Sequence, residues 1–220
     1  MRPAYTHSFS IAQTFRKVYI LTASYQLSKD INSEIPILDV ANGVTIYTTG
    51  NINDGYNYSL TGVGPLKITK KWDSQNTLLV SYNKLSMESN NGLQVNDQVF
   101  FMLQTNHTIL LPKDIKMEMN FLFRGPAAGG LYHMASMHRL DFAWKKSFFR
   151  KKFDVTLNAN DVFAGWRFLW TTDINGNVNE FDQYFRFRSL GFSLRYNFSK
   201  GQKTDQRKTN TLEEVNRTGG

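Results

Sequence analysis

The dominant signal along this chain is a period of two. Leu190, Phe192, Leu194, Tyr196 and Phe198 alternate with Ser189, Gly191, Ser193, Arg195 and Asn197. Successive strand residues point to opposite faces, so this segment has one apolar face and one small, polar face. Upstream, Phe153, Val155, Leu157 and Ala159 alternate with Asp154, Thr156, Asn158 and Asn160, and Leu140, Phe142 and Trp144 with Arg139, Asp141 and Lys145. Ile115, Met117, Met119, Phe121 and Phe123 form another apolar row, opposite Lys116, Glu118, Asn120 and Arg124. In 97–111, Val99, Phe101 and Leu103 face one way and Gln104, Asn106 and Thr108 the other, blurred by Phe100 and Met102. Strand 76–88 carries Leu78, Val80 and Tyr82, and strand 56–72 carries Tyr56, Tyr58, Leu60, Leu66, Ile68 and Trp72. Tyr19, Leu21, Ala23, Tyr25 and Leu27 complete the series, preceded by a strand over 7–15.

Gly, Pro, Asn and Asp clusters punctuate these runs. Short turns are predicted at Arg16-Lys17, Asp73-Ser74-Gln75, Pro112-Lys113-Asp114 and around Ser147–Arg150, with longer loops at 89–95, 125–130 and 164–181. Residues 44–49 look like a strand of their own. Treating 29–55 as one excursion, with 44–49 above the membrane, keeps every short turn on one side. Strands of about 9–11 residues, short turns at one end and long loops at the other describe an outer-membrane β-barrel, with lipid in place of a core. The expected fold is all-β: an antiparallel meander of about nine long transmembrane strands. Residues 1–198 form the barrel segment, 29–55 and 164–181 are extracellular, and 199–220 is a flexible charged periplasmic tail.

Composition sharpens this. The mean hydropathy is −0.41, too low for a helical membrane protein. No run of about 18 apolar residues exists, a test that a β-barrel evades because only alternate residues meet lipid. The absence of cysteine excludes a disulfide scaffold and thiolate metal sites. The net charge of +8 raises nucleic acid as a partner. The cations are scattered, however, and no nucleic-acid-binding signature accompanies them. Lys145, Lys146, Arg150, Lys151 and Lys152 flank one turn, where anionic lipid headgroups suit them better. No secretory apolar stretch follows Met1-Arg2-Pro3-Ala4. Sheet edges cannot face hydrocarbon, and bacterial barrels have even strand counts. The expectation is therefore the C-terminal portion of a larger barrel.

Three segments carry a resemblance. "LDFAWKKSFFRKKFDVTLNANDVF" (140–163) resembles the late-barrel hairpin of TonB-dependent receptor-like outer-membrane β-barrels. "RSLGFSLRYNFSKG" (188–201) resembles their closing strand, and "RKTNTLEEVNRTGG" (207–220) their charged tail. "YQLSKDINSEIPILD" and "LKITKKWDSQNTLLVSYNK" fit the same family. The resemblance implies a barrel of about 22 strands around a plug. It also implies energised uptake of a scarce ligand through a TonB-type complex in a Gram-negative outer membrane. The plug, the rest of the barrel and the extracellular ligand would then be partners lying outside this chain.

Candidate chemistry is sparse. Trp72, Trp144, Tyr196 and Phe198 sit at turn-side strand ends, where interfacial girdles need aromatic rings. Trp166, Arg167 and Trp170 are the candidate ligand contacts in the 164–181 loop, although the two tryptophans also suit packing against neighbouring loops. Asp161 reads as a turn-forming residue. His7, His107, His133 and His138 show no metal-ligand spacing, and no nucleophile motif appears. No cofactor, metal or catalytic residue is expected. A passive or structural pore and a soluble β-sandwich binding module remain as alternatives.

Overall fold

In the computed structural model, which describes residues 2–39, 42–89, 92–129, 132–174 and 177–198, the alternation becomes thirteen strands and no α-helix among those residues. They are β1 (Tyr5–Phe15), β2 (Tyr19–Asp39), β3 (Val44–Thr69), β4 (Trp72–Ser89), β5 (Gly92–Leu111), β6 (Ile115–Arg124), β7 (Ala127–Gly129), β8 (Tyr132–Met134), β9 (Met137–Phe148), β10 (Phe153–Asn160), β11 (Arg167–Ile174), β12 (Asn177–Tyr184) and β13 (Ser189–Tyr196). Nine form one antiparallel sheet in the order β1-β2-β3-β4-β5-β6-β9-β10-β13. The other four form a separate sheet, β12-β11-β8-β7. The meander is thus nine strands wide, as the period-two rows predict. The strand pairs β7–β8 and β11–β12 leave the wall between consecutive wall strands.

The turns at 16–18, 70–71, 112–114 and 149–152 all lie at one rim. Arg16 and Lys17, at φ 46° and 62°, have the paired left-handed backbone that a tight hairpin turn requires. Phe149, Arg150 and Lys151 adopt it at the β9–β10 turn. At the opposite rim β2 and β3 keep one register from Ile20–Val63 to Asp39–Val44, with Asp30 at φ 51° between the Lys29–Asp54 and Ile31–Ile52 pairs. Residues 44–49 are therefore the upper end of β3 rather than a separate strand, and 29–55 is one tall hairpin.

Four boundaries differ from expectation, each because cross-strand pairing outweighs a turn-rich local sequence. Asp73, Ser74 and Gln75 lie inside β4, paired with Lys67, Leu66 and Pro65, and the turn falls at 70–71. Pro65 is tolerated there because β2–β3 pairing reaches only Val63. The β4–β5 loop narrows to the residues between Ser89 and Gly92, and β9 runs through Phe148 before its turn at 149–152. Segment 164–181, expected as a loop, holds most of a hairpin, and the last wall strand begins only at Ser189. The predicted tail, 199–220, lies outside the described residues.

Adjacent lateral rows show what the wall presents. Ile11, Ala23, Leu60, Val80 and Phe101 pair side by side across β1 to β5 on one face. One residue along, Ser10, Ser24, Ser59 and Ser81 pair across β1 to β4 on the other. Val80 is 41% exposed and Ser81 6%. This inverts a soluble protein. Among the described residues only Ala128 and Met137 are buried hydrophobics, whereas Ser28, Ser74, Ser81, Asn96, Asp154, Asp161 and Thr172 are buried. The serine side is the inner face and the greasy side the outer one.

The wall's charges follow the same division. Lys116 reaches Glu118 at 2.5 Å, Arg139 reaches Asp141 at 2.9 Å and Lys145 reaches Asp154 at 2.8 Å. All six residues have inner-face parity. Arg124 lies over the inner-face ring of Phe100, 5.7 Å from its centroid. A charge at mid-depth on a lipid face costs about 2–4 kcal/mol, which explains the address. On the outer face, Trp72, Ile109, Met117 and Trp144 form one lateral row. Tyr25, Tyr58 and Tyr82 form another, nearer the long-loop rim. From Trp72 to Tyr82 along β4 is about 33 Å at about 3.3 Å per residue. A strand tilt of about 40° reduces that to a band of roughly 25 Å, the apolar height of an outer-membrane wall.

Candidate functional site

The second sheet builds a concave, aromatic site. In the β11–β12 hairpin Phe168 pairs with Gln183 and Trp170 with Phe181, so all four side chains share a face. Trp170 also pairs with Met134 of β8, which brings Tyr132 onto that face two residues earlier. Tyr47, from the upper end of β3, completes the enclosure. These six residues line a cavity of about 300 Å³. The Tyr132 and Trp170 rings are 5.9 Å apart at 60°, Tyr132 and Phe181 6.3 Å at 68°, and Tyr47 and Phe181 6.0 Å at 65°. Neighbouring walls thus stand steeply to one another. None of the described lining residues is charged.

The candidate ligand contacts separate here. Trp170 lines the cavity. Trp166 instead packs edge-on against Phe168, 5.7 Å between centroids. Arg167 points to the opposite face of the hairpin and pairs with Asp182, its Nε donating to Oδ1 at 2.6 Å. That guanidinium holds the Asp182 carboxyl below the usual carboxylate range, and the carboxylate raises Arg167 in turn. Sequence reasoning missed Tyr47, Tyr132, Phe168, Phe181 and Gln183. The signal for three of them was present: Phe168 and Trp170, then Phe181 and Gln183, keep a period of two on either side of Asn175-Gly176, a hairpin-turn dipeptide. Tyr47 and Tyr132 come from distant segments and carry no local mark.

The turn-side aromatics lie along the outer face. Trp72 Nε1 donates to His107 Nδ1 at 3.0 Å, and His107 Nε2 lies 3.2 Å from Thr105 Oγ1. Trp144 stacks on Phe142 at 5.4 Å, and Tyr196 meets Phe198 edge-on at 4.5 Å. Asp161 is fully buried at the top of β10 with φ 45°. Its Oδ1 accepts the Gly165 N–H at 3.0 Å, and its own N–H donates to Asp141 Oδ1 at 2.8 Å. It thereby ties the start of the long connection to the wall, the turn-forming role its sequence indicates. His133 and His138 fall on different strands, β8 and β9, and no cluster of three metal-ligating residues occurs among the described residues.

At the opposite rim Lys71, Arg150 and Lys151, with Asp114 and Ser147, border a cleft of about 590 Å³.

No curated protein and no solved structure matches this chain. A family described as "Outer membrane protein beta-barrel family" matches residues 1–196, which span all thirteen strands. With its lipid-suited outer face and polar inner face, this chain belongs to that outer-membrane β-barrel family.

Proposed function

We propose that the chain is the C-terminal barrel wall and extracellular rim of a TonB-dependent-receptor-like transporter in a Gram-negative outer membrane. The carrying observation is the polar, ion-paired inner face of a nine-stranded wall whose two edge strands, β1 and β13, do not pair with each other. Unpaired edges are untenable in hydrocarbon, so further strands complete the sheet in the assembled barrel. The ordered serine and charge rows then face a lumen that a plug or water fills. The motif resemblance at 140–163 and 188–201 favours the plugged, energised version. Barrels of this class keep short turns periplasmic and long loops outside. The aromatic cavity is then the extracellular ligand-capture site, with Trp170 as its predicted contact. Trp72, Trp144, Tyr196 and Phe198 mark the periplasmic interface, and the Lys71–Arg150–Lys151 cleft meets anionic headgroups.

The test is to isolate the native barrel containing this chain from outer membranes and record its conductance in planar bilayers. A plugged receptor is electrically silent until the plug is unfolded, and its periplasmic side cross-links to the energy-transducing protein. A steady open conductance with no such cross-link would replace this reading with a passive pore, which the polar inner face also suits.

A further inference from the structure

We propose that the aromatic cavity at the long-loop rim is a cage for a quaternary ammonium group. The inference rests on the reading of that cavity as the extracellular ligand site and names what it takes. Three features favour a soft cation over a neutral ligand. First, the walls are aromatic: Tyr47, Tyr132, Phe168, Trp170 and Phe181 line the cavity, and Gln183 alone among the described lining residues is not aromatic. Second, the contacting ring pairs stand 5.9–6.3 Å apart at 60–68°. Such walls let one centre lie within about 6 Å of several ring centroids, the range in which a cation is attracted by ring quadrupoles. Third, the hairpin that carries the cavity is acidic in a basic chain. The protein carries a net +8, yet the β11–β12 hairpin holds Asp173, Glu180 and Asp182 against the single cation Arg167, all four on the face turned away from the cavity, directly behind its wall. Arg167 is already engaged with Asp182 on the far face.

The lining also discriminates among cations. A primary ammonium or a guanidinium seeks several hydrogen-bond acceptors to replace lost water. Gln183 and two tyrosine hydroxyls supply few. A tetraalkylammonium has no N–H to satisfy, and its methyl surface suits an apolar wall. A volume of about 300 Å³ admits such a group with a short tether leading out of the cavity.

The experiment measures binding of choline and of tetramethylammonium to the full chain in a detergent without a choline head group, by quenching of tryptophan fluorescence. The control ligand is 3,3-dimethylbutan-1-ol, which has the shape of choline without its charge. Both cations are expected to bind roughly tenfold more tightly than the alcohol, a difference of the size cation–π contacts supply. Choline affinity should fall as salt rises. Trp170→Leu keeps the site apolar but removes a π-face, and should lose most of the preference for the cation. Tyr132→Leu provides the same reading if Trp170→Leu does not fold. Equal binding of choline and the alcohol would overturn the cage while leaving a neutral-ligand cavity in place. Absence of binding by all three probes would overturn it too. Neither result touches the transport reading, which the conductance measurement decides separately.

Discussion

Single positions carry the division between lipid and lumen. Leu194 and Ser193 are neighbours on β13, paired with Val155 and Thr156 of β10 and facing opposite ways. Leu194→Arg places a charge on the oily side, at a cost of about 2–4 kcal/mol at mid-depth. It should sharply reduce the folded fraction in lipid vesicles, read by heat-modifiable gel mobility, whereas Ser193→Arg should reduce it far less. Equal tolerance at both positions would refute the outward assignment of Leu194. Gly64 illustrates a different constraint. A Cβ there would collide with Tyr19 Cδ1, because the Tyr19 ring lies across the glycine on the outer face. An aromatic over a glycine fills a strand position that has no side chain of its own. Gly64→Ala should therefore destabilise the wall by about 1–3 kcal/mol in urea titrations. Tyr19→Ala in the same chain should recover part of that loss, the coupling expected of residues in contact. Additive effects would mean that the ring moves aside freely.

At the scale of elements, the β11–β12 hairpin has its own electrostatic clasp. Arg167 donates two hydrogen bonds to the Asp182 carboxylate across the strand pair. Asp182 has a lowered proton affinity in the folded hairpin. Its contribution is therefore fully present above the ordinary carboxylate range and is lost as the pH falls through the lowered folded value. Amide exchange of 167–184 should accelerate on acidification, while that of β4 and β5 changes little. The effect should be modest and salt-sensitive, since the pair is exposed to solvent. Asp182→Asn should flatten the pH response; a response that persists in that variant would place its origin elsewhere. The short-turn elements obey another rule. Arg16 and Lys17 occupy left-handed backbone where Asn-Gly is the easier choice. Basic side chains there accept strain while presenting charge at the membrane surface.

The whole molecule is polarised from rim to rim. Arg16, Lys17, Lys70, Lys71, Lys113, Arg150, Lys151 and Lys152 crowd the short-turn rim, and the aromatic cavity sits at the other. The proposed orientation, with the short turns periplasmic, predicts that trypsin added outside intact cells leaves these turns uncut. It should cleave them once the outer membrane is opened. Cleavage at 149–152 in intact cells would invert the orientation and move the aromatic cavity to the periplasm. The exposed outer rows also predict that the chain leaves membranes only with detergent and aggregates when the detergent is removed.

What the amino-acid sequence determined by itself is the wall: its all-β class, its nine strands, the inner and outer address of its regularly alternating side chains, and the rim that holds the short turns. Each follows from a local period of two, because strand geometry converts order along the chain directly into facing. Asp161 was legible for the same reason, since a turn-forming residue acts within a few positions of itself. Strand lengths were less legible. Asp73-Ser74-Gln75 has turn composition, but pairing with β3 and β5 holds it extended. The aromatic cavity only the tertiary structure decided. It joins Tyr47, Tyr132 and the 168–183 hairpin through the folding of a second sheet at the long-loop rim. No periodicity records which loops meet, because that choice is made by packing between segments far apart in the chain.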